Sequence, residues 1–509
     1  MRLSLTTLLS DPARRFPERT ALVSGTERLT YGRLWKEVLE HAGALRSLGV
    51  AEGDRVALLA GNHTDFVRCY YAVLAVGGTV LPLAPMLTSR EITHLLTAGG
   101  SRLLLSREEH LDTAREAGRE AGAAVHRIGP SSEEGTLASL AERTPALDRA
   151  VARRPEDPAV VLYTSGTTGR PKGAVLTHLN LVMNATVNAF DNHPFDRHET
   201  VLGCLPLFHT FGQTVALNTT FRLGGTLVLH ERFSPAAAIE LMRTEGVTVF
   251  LGVPTMYSRL SEAVRTEDVG ALPALRFCVS GGAALPVALL RRFEKEFDTV
   301  VHEGYGLSET SPTASTNQPA FGTREGTVGH AVWGVEVEIA DAGNEDSVVL
   351  LPPDERGEIV VRGHNVFAGY LDDPEATAAA LQDGWFRTGD IGVRSPDGFV
   401  SIVDRKKDLI IRGGYNVYPR EVEEVLAQRS DLAQVAVIGL DHPELGEEVC
   451  AVVVPAAGVG VDPEEVVTWS RTRMAAHKYP RRVEVVSEMP MGPSHKVLKR
   501  ELRARLRPR

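Results

Sequence analysis

Residues 163–173, with the sequence YTSGTTGRPKG, combine glycines, hydroxyl side chains and a lysine in one short segment. Glycines have no Cβ atom, so consecutive backbone N–H groups can converge on an anion, and hydroxyl and ammonium groups add further donors. Lysine is scarce here, with only eight lysines among 55 basic residues. The segment lacks the G-x4-G-K-[ST] spacing of a Walker loop, and an ordinary exposed loop would not need so many donors. It therefore predicts a phosphate-binding loop built from Thr164, Ser165, Gly166, Thr167, Thr168, Gly169 and Lys172.

Two later segments carry carboxylates suited to magnesium and sugar chemistry. Glu309, in the segment YGLSET of residues 305–310, is a hard oxygen ligand of the kind that Mg²⁺ prefers. Asp390 ends the segment WFRTGD of residues 385–390, and its carboxylate can accept hydrogen bonds from two hydroxyl groups at once. Taken alone, Glu309 could be a solvated surface residue and Asp390 could belong to an ordinary turn. Their order after the phosphate-binding loop favours a common nucleotide site.

These segments, in this order, resemble the motifs of the adenylate-forming superfamily, which includes acyl- and aryl-CoA synthetases, peptide-synthetase adenylation domains and firefly luciferase. The resemblance covers nearly the whole chain. It implies that Tyr305 stacks on adenine and that Thr310 reaches the α-phosphate. It also implies that Arg405 joins Asp390 at the ribose. Three further residues are assigned by the same resemblance to the nucleotide site, namely Gly282, Ala283 and Gly306.

The resemblance places an adenylating lysine at Lys496, within the segment GPSHKVLK of residues 492–499. A lysine that touches both the α-phosphate and the attacking carboxylate would stabilise the transition state of an in-line displacement. The family usually has glycine before this lysine, whereas this chain has His495. That departure could only stiffen the loop, or it could weaken or retune the first half-reaction. The implied catalytic set is Lys496, Glu309, Thr164 and His209.

The acid substrate is expected to lie beside the α-phosphate. His209 could contact its carboxylate, although a single histidine is often only structural. Amino-acid-activating relatives carry an aspartate near residues 207–212, and dicarboxylate-activating relatives carry an arginine where this chain has Gly304. Neither residue is present, so an amine or a second carboxylate would lack a partner. The prediction is an apolar fatty or aromatic monocarboxylate, and the resemblance implies that its pocket is formed by Phe208, His209, Val253, Met256, Gly281 and Gly304.

The predicted enzyme is an AMP-forming acyl-CoA synthetase that uses ATP, Mg²⁺ and CoA. The acid attacks ATP to give acyl-AMP and pyrophosphate, and the CoA thiol then displaces AMP. Other acceptors stay open, namely a carrier-protein thiol or an amine, as do nitrite-activating and luciferase-like chemistries. A non-catalytic nucleotide- or acyl-binding module is the alternative of a different class, which the joint presence of Lys172, Glu309, Asp390, Arg405 and Lys496 argues against.

The elements that must position these residues are predicted to be α/β layers. Short apolar strand-like runs such as Arg55–Leu59 and Thr226–Leu229 alternate with helical patterns such as Leu34–Leu48. This alternation is typical of largely parallel sheets covered by helices. Later, only turns separate three predicted strands, which indicates a small antiparallel β unit formed by Val335–Ile339, Val348–Leu351 and Gly357–Arg362.

Two domains are predicted. The large N-terminal domain, residues 1–403, contains the layered α/β subdomains, the small β unit and the ATP and acyl sites. The small α+β C-terminal domain, residues 404–509, is expected to be mobile. By resemblance its hinge lies at Lys407, within the charged segment 404–408, and the channel for the pantetheine arm passes Gly413 and Gly414.

Composition narrows the class of protein further. The 509 residues carry a net charge of −10, which disfavours sequence-independent binding of nucleic acid. The best membrane candidate, Cys69–Leu87, is interrupted by prolines and glycines, so we expect a buried helix followed by a buried strand. The four cysteines lack a CxxC spacing, which fits a cytoplasmic enzyme. The expected partners are therefore a carboxylic acid, ATP and CoA, with a carrier protein as an option.

Overall fold

The computed structural model describes residues 3–165, 171–193, 195–492 and 497–506. Within these ranges the chain forms four β-sheets, two of them large and mainly parallel and two smaller. The predicted fold class, layered α/β subdomains with a small β unit and a small α+β C-terminal part, is confirmed.

The largest sheet has nine strands, and its six central strands are parallel. Antiparallel strands close both edges. The central strands are short, apolar and buried, as expected for a parallel sheet with both faces covered. In spatial order the strands are His330–Ala331, Thr313–Thr316, Val301–Gly306, Phe277–Ser280, Val249–Gly252, Thr200–Gly203, Thr226–Leu229, Thr20–Ser24 and Glu27–Thr30.

The second large sheet has six strands and ends in a hairpin. The hairpin strands, Pro158–Ser165 and Pro171–Thr177, are antiparallel and bracket residues 166–170. The described ends of the predicted phosphate-binding segment therefore belong to these two strands. The other strands are parallel and, in spatial order, are Ala124–Arg127, Leu103–Ser106, Arg55–Leu59 and Thr79–Leu83.

Helices cover these sheets, and several begin at residues that cap them. Thr30 accepts a hydrogen bond from the Arg33 amide, and Thr88 forms a reciprocal capping box with Glu91. Residues Asn188–Asn192 and Phe211–Asn218 are π-helical, and the short 3₁₀ turns are Glu108–His110, Ser308–Thr310 and Lys406–Asp408. The α-helices are Thr7–Arg15, Tyr31–Ser47, Thr64–Ala75, Ser89–Gly99, Leu111–Ala121, Leu137–Ala141, His178–Val187, Thr219–Leu223, Pro235–Thr244, Pro254–Thr266, Val287–Phe297 and Pro374–Ala380.

The predicted small β unit is an antiparallel sheet. Its strands are Val335–Ala340, Arg356–Gly363, Trp385–Arg394, Leu381–Gln382 and Val400–Arg405. The predicted strand Val348–Leu351 is wrong, because residue Leu350 makes only an isolated bridge to Ala340. Pro352 and Pro353 follow at once, and proline has no N–H with which to extend a ladder.

The C-terminal part has a sheet and apolar clusters of its own. Two long antiparallel strands pair with each other along their length, and two of the short strands pair with the other side of Gly446–Pro455. The middle of each long strand is a continuous buried apolar run, as expected for a sheet covered on both faces. The strands are Ile410–Arg412, Tyr415–Val417, Leu432–His442, Gly446–Pro455 and Arg482–Val485, and the helices are Pro419–Leu426, Pro463–Arg471 and Lys499–Leu506.

Candidate active site

A cavity of about 850 Å³ opens where parallel strands of the largest sheet end. The strands Phe277–Ser280 and Val301–Gly306 both reach it with their carboxyl ends, which is where α/β proteins usually bind ligands. The adjoining ends of the two hairpin strands and the small β unit line its other sides. Many of the residues predicted for the site line this one cavity, namely Thr164, Lys172, Phe208, His209, Gly281, Gly282, Gly304, Tyr305, Gly306, Glu309, Arg405 and Lys407.

Two hydroxyl groups orient the Glu309 carboxylate. Thr164 Oγ1 and the Tyr370 hydroxyl each donate to Glu309 Oε1 at 3.1 Å. Burial and the Glu309 charge raise the pKa of Tyr370 well above its usual value, so this hydroxyl stays protonated and remains a donor. Glu309 itself is buried. Its carboxylate is thus held in one place at the cavity wall.

Lys172 adds positive charge beside this carboxylate. The hairpin register sets Lys172 directly opposite Thr164. Its ammonium lies 5.1 Å from the centre of the Tyr370 ring, a distance typical of a cation–π contact. Tyr370 therefore touches both charged residues, although it belongs to none of the motifs recognised in the sequence.

Asp390 and Arg405 meet across the small β unit. The two residues are cross-strand partners, and Arg405 Nε lies 3.1 Å from Asp390 Oδ1. The Tyr305 hydroxyl donates to Asp390 Oδ2 at 2.8 Å. The Asp390 charge raises the pKa of Arg405, and burial raises that of Tyr305 well above its usual value. Three residues from separate motifs therefore form one cluster, of which Tyr305 and Arg405 line the cavity while Asp390 is buried beside them.

Glycine at position 306 is needed for close packing at this point. A Cβ atom there would collide with the Pro312 carbonyl oxygen. The backbone can therefore turn from Tyr305 towards Glu309 only if the side chain is absent. This turn brings both residues to the same wall.

Other predicted site residues lie elsewhere in this conformation. Thr310 is fully buried, and its hydroxyl contacts backbone atoms of Leu307 and Pro312. Val253 and Met256 are buried behind the cavity wall, where Met256 contacts Cys204. The sequence predicted these side chains at the site, but they do not border the open cavity in this structure.

The remaining predicted residues fall into two groups. Ala283, Gly413 and Gly414 are exposed, and both glycines have positive φ angles at the turn between two C-terminal strands. For Ser165 only the backbone is described. The predictions for Gly166, Thr167, Thr168, Gly169 and Lys496 lie outside the described residues.

Lys407 begins the connection to the C-terminal part. It lies in the one-turn helix Lys406–Asp408, directly after the last strand of the small β unit. The preceding Asp404 carboxylate accepts from the backbone amides of Arg405 at 2.7 Å and of Arg420 at 2.9 Å. One side chain thus ties the end of the strand to the first C-terminal helix.

Comparison with known proteins identifies the family. Residues 9–371 match the family described as AMP-binding enzyme, and residues 421–496 match its C-terminal domain. The chain belongs to the AMP-binding enzyme family. The superfamily predicted from the sequence is therefore confirmed.

Full-length relatives support this assignment. A feruloyl-CoA synthase from Amycolatopsis is 38% identical, with 97% of each chain covered. A long-chain-fatty-acid–CoA ligase from Bacillus subtilis is 34% identical and covers 98% of this chain and 94% of the relative. The structure of ATP-bound MatB from Rhodopseudomonas palustris superposes with a TM-score of 0.91 at 32% identity, with 99% of each chain covered. The predicted class of enzyme, an AMP-forming acyl-CoA synthetase that uses ATP, Mg²⁺ and CoA, is confirmed at this level.

The acidic side chains at the site of this AMP-binding enzyme fit a magnesium ion that is bound mainly by the nucleotide. Among the described residues, no group of three or more acidic, histidine or cysteine side chains could hold a metal. Mg²⁺ at triphosphates is held mainly by phosphate oxygens and water, with one or two carboxylates added. Glu309, oriented by Thr164 and Tyr370, is a carboxylate of that kind.

Most of the stretch proposed as the best membrane candidate, Cys69–Leu87, is buried. Cys69 lies in the helix Thr64–Ala75, and the buried strand Thr79–Leu83 follows it, as predicted. In the part of the chain that the structure describes, we find no helix with the length and apolar character needed to span a bilayer.

Glu303 is a buried acid that the sequence analysis did not single out. It is 2% exposed, its Oε1 accepts from the Leu285 amide at 3.1 Å, and its Oε2 has no hydrogen-bond partner in the described structure. Burial raises the pKa of Glu303 from its ordinary value of 4.5 to about 7. The folded protein therefore binds a proton more tightly here than the unfolded chain does.

The Glu303 shift makes a prediction about stability. The pKa of Glu303 is higher in the folded protein than in the unfolded chain. Protonation of Glu303 therefore stabilises the fold at low pH, and this stabilisation is lost as the pH rises from about 4.5 to 7. Glu303→Gln keeps the shape of the protonated acid, so we expect its free energy of unfolding to exceed that of the wild type by up to about 3 kcal/mol at pH 8. Chemical denaturation at pH 5 and pH 8 measures the difference. A difference that does not change with pH would contradict the prediction.

Proposed function

We propose that this enzyme joins a monocarboxylic acid to CoA through an acyl-AMP intermediate. A carboxylate oxygen of the acid attacks the α-phosphorus of ATP, and the bond to the bridging oxygen breaks to release pyrophosphate. The sulfur of CoA then attacks the acyl carbon, its proton is lost, and AMP leaves. The proposal rests on one observation above all. A single cavity is lined by Glu309, Lys172, Tyr305, Arg405 and a partly apolar wall, and Asp390 contacts both Tyr305 and Arg405.

Each residue has a proposed role in binding. Thr164 and Lys172 bind phosphate oxygens, and Glu309 holds magnesium. The Mg²⁺ ion supplies charge neutralisation at the triphosphate when it is bound. Asp390 and Arg405 bind the ribose while Tyr305 packs against adenine. Further contacts to the nucleotide are proposed for Ser165, Gly166, Thr167, Thr168, Gly169, Gly282, Ala283, Gly306 and Thr310.

The acid is proposed to bind at Phe208 and His209. The wall there also includes Phe211, Val215 and Val279, so most of the contact area is apolar. Relatives of the chain include a feruloyl-CoA synthase and a long-chain-fatty-acid–CoA ligase, which act on an aromatic and a fatty acid respectively. Both support a largely apolar acid for this enzyme.

The two steps require two arrangements of the C-terminal domain. We propose that Lys496 stabilises the first transition state, that residues 404–509 then rotate about Lys407, and that the thiol enters past Gly413 and Gly414. Lid motions of this kind let one site serve successive reactions. A cytoplasmic location belongs to the same proposal, and the four buried, free cysteines fit a reducing compartment.

A pyrophosphate-release screen tests the proposed function. Purified enzyme is supplied with ATP, Mg²⁺ and a broad panel of fatty, aromatic, dicarboxylic and amino acids, with and without CoA. We expect pyrophosphate only when ATP, Mg²⁺ and a monocarboxylic acid are all present, and a thioester only when CoA is added. Preference for a dicarboxylic or amino acid would contradict the predicted substrate class. Turnover with an amine or a carrier-protein thiol, but not with CoA, would replace the proposed acceptor.

A further inference from the structure

The cavity ends partway along two neighbouring strands of the largest sheet. On one strand Gly304 borders the cavity, whereas His302, two positions earlier and on the same face, does not. On the next strand Val279 borders the cavity and Phe277, again two positions earlier, does not. Val279 and His302 are cross-strand partners, so the cavity leaves both strands at nearly the same level. This level is the inner end of the cavity on that face of the sheet.

His193 lies at this inner end. It borders the cavity and is 6% exposed. Its ring centroid lies 4.9 Å from that of His302 and 5.6 Å from that of Phe277, the two residues that the cavity does not reach. Phe195 adds a further ring at 6.1 Å. Because Phe277 and His302 are themselves buried, His193 and the rings behind it close the cavity at this end.

Hydrogen bonds hold the segment that leads to His193. The residues Asn188–Asn192 are π-helical, and Asn188 also borders the cavity. The side-chain amide of Asn188 donates to Thr313 Oγ1, on a strand of the largest sheet, at 3.1 Å. Its side-chain oxygen accepts from Asn192 Nδ2 at 2.9 Å. These bonds fix the backbone that presents His193 to the cavity.

The inner end is uncharged near neutral pH. Burial and the neighbouring His302 lower the pKa of His193 well below its usual value, and burial lowers the pKa of His302 to about 4. His193 Nδ1 has no hydrogen-bond partner within the described structure, but the ring offers no positive charge. A second carboxylate at the far end of an acid would therefore be buried without an opposite charge from either imidazole. This end suits the apolar end of a monocarboxylic acid.

We propose that His193 limits the length of the acid by closing the inner end of the acyl pocket, so that the enzyme activates short-chain, medium-chain or single-ring acids and rejects long-chain ones. The inference rests on the proposed function, which sets the carboxylate at the nucleotide and the acyl group along Phe208 and Val279. From Gly306, at the nucleotide end, to His302 the strand spans four residues, or about 13 Å. An extended acyl chain longer than this span would meet the His193 ring.

Two series of acids test the inference. The aliphatic series is hexanoate, octanoate, decanoate, dodecanoate and hexadecanoate, and the aromatic series is benzoate, cinnamate and 4-phenylcinnamate. Pyrophosphate release gives kcat/KM for each acid. One methylene group more or less in an apolar pocket changes kcat/KM by about 10-fold to 200-fold. We therefore expect kcat/KM of the wild type to fall by about 10-fold or more between two successive acids of a series, and the longest acid before this fall defines the cut-off.

Three variants assign the cut-off to His193. His193→Ala removes the ring, so the ratio of kcat/KM for the acid just beyond the cut-off to that for the acid at the cut-off should rise by about 10-fold or more. His193→Phe keeps a ring there, so the cut-off should stay. Phe211→Ala is the matched control, because the Phe211 ring borders the cavity beside Gly281, at the opposite end from His193. It should leave the cut-off in place. A ratio of two acids measured on one preparation does not depend on the fraction of folded enzyme, so partial unfolding cannot imitate the effect.

The outcomes separate this inference from the proposed function. If the wild type activates hexadecanoate or 4-phenylcinnamate as efficiently as the shorter acids of the series, the proposed function stands and the inference is wrong. A cut-off that is unchanged in His193→Ala, or that moves as far in Phe211→Ala, also overturns it. If no acid of these series or of the broader panel releases pyrophosphate, both fail together.

Discussion

Replacing Lys496 by alanine is expected to slow acyl-adenylate formation by about 100-fold or more, the usual effect of removing one transition-state donor. Negative charge on the α-phosphate and on the attacking carboxylate must be accommodated together, and an ammonium that contacts both lowers the barrier. Pyrophosphate release measures this step. Thioester formation from pre-made acyl-AMP should persist in the same variant, because Lys496 would no longer be at the site.

Lys407→Pro should give the converse result. Proline fixes the backbone φ angle, so the rotation between the two steps becomes difficult. We expect pyrophosphate release to remain and thioester formation from acyl-AMP to be slowed. Lys407→Ala is the matched control, because it removes the same side chain, which lines the cavity, yet keeps the backbone free.

The two variants together test the rotating domain. Lys295→Ala, which removes an exposed lysine from the helix Val287–Phe297, controls for the loss of one positive charge. Melting temperatures establish that each protein is folded. If Lys496→Ala and Lys407→Pro both lost the two half-reactions equally while folded, a single fixed active site would replace the proposed two-state cycle.

Several residues that the motifs predict for the site lie close together in the structure, because those motifs combine local geometry with chemistry. The segment around Thr164 and Lys172 needs only a hairpin to bring the two residues opposite each other. Asp390 and Arg405 were assigned to the same sugar, and the structure pairs them across adjacent strands. The ion pair between them was not predicted, since it depends on the register of the sheet.

Residues outside the motifs could not be found from the sequence. His193, which lines the cavity, packs against Phe277 and His302, and these two residues lie on two strands that follow it by many positions in the sequence. Tyr370 reaches Glu309 only because its segment crosses the hairpin next to Ala174. Both depend on long-range packing, for which neither spacing nor composition carries a signal.

Asp390→Ala is expected to raise the KM for ATP by about 100-fold or more. Two ribose hydroxyls would lose a charged acceptor, and each charge-assisted hydrogen bond contributes about 1.5–3 kcal/mol. Steady-state pyrophosphate release over a range of ATP concentrations measures the change. Asp397→Ala is a matched control, because that exposed carboxylate pairs with Arg324 on the surface.

Asp390 also accepts a hydrogen bond from Tyr305 and pairs with Arg405, so a higher KM for ATP in Asp390→Ala has two explanations. Its loss could act through those neighbours alone. Tyr305→Phe keeps the ring and removes only the hydroxyl, so we expect it to change the KM for ATP far less. 2′,3′-Dideoxy-ATP separates the remaining explanations. The wild type should bind this analogue much more weakly than ATP, whereas Asp390→Ala should bind the two alike. Equal losses in both proteins would mean that Asp390 organises the cavity wall without touching the ribose.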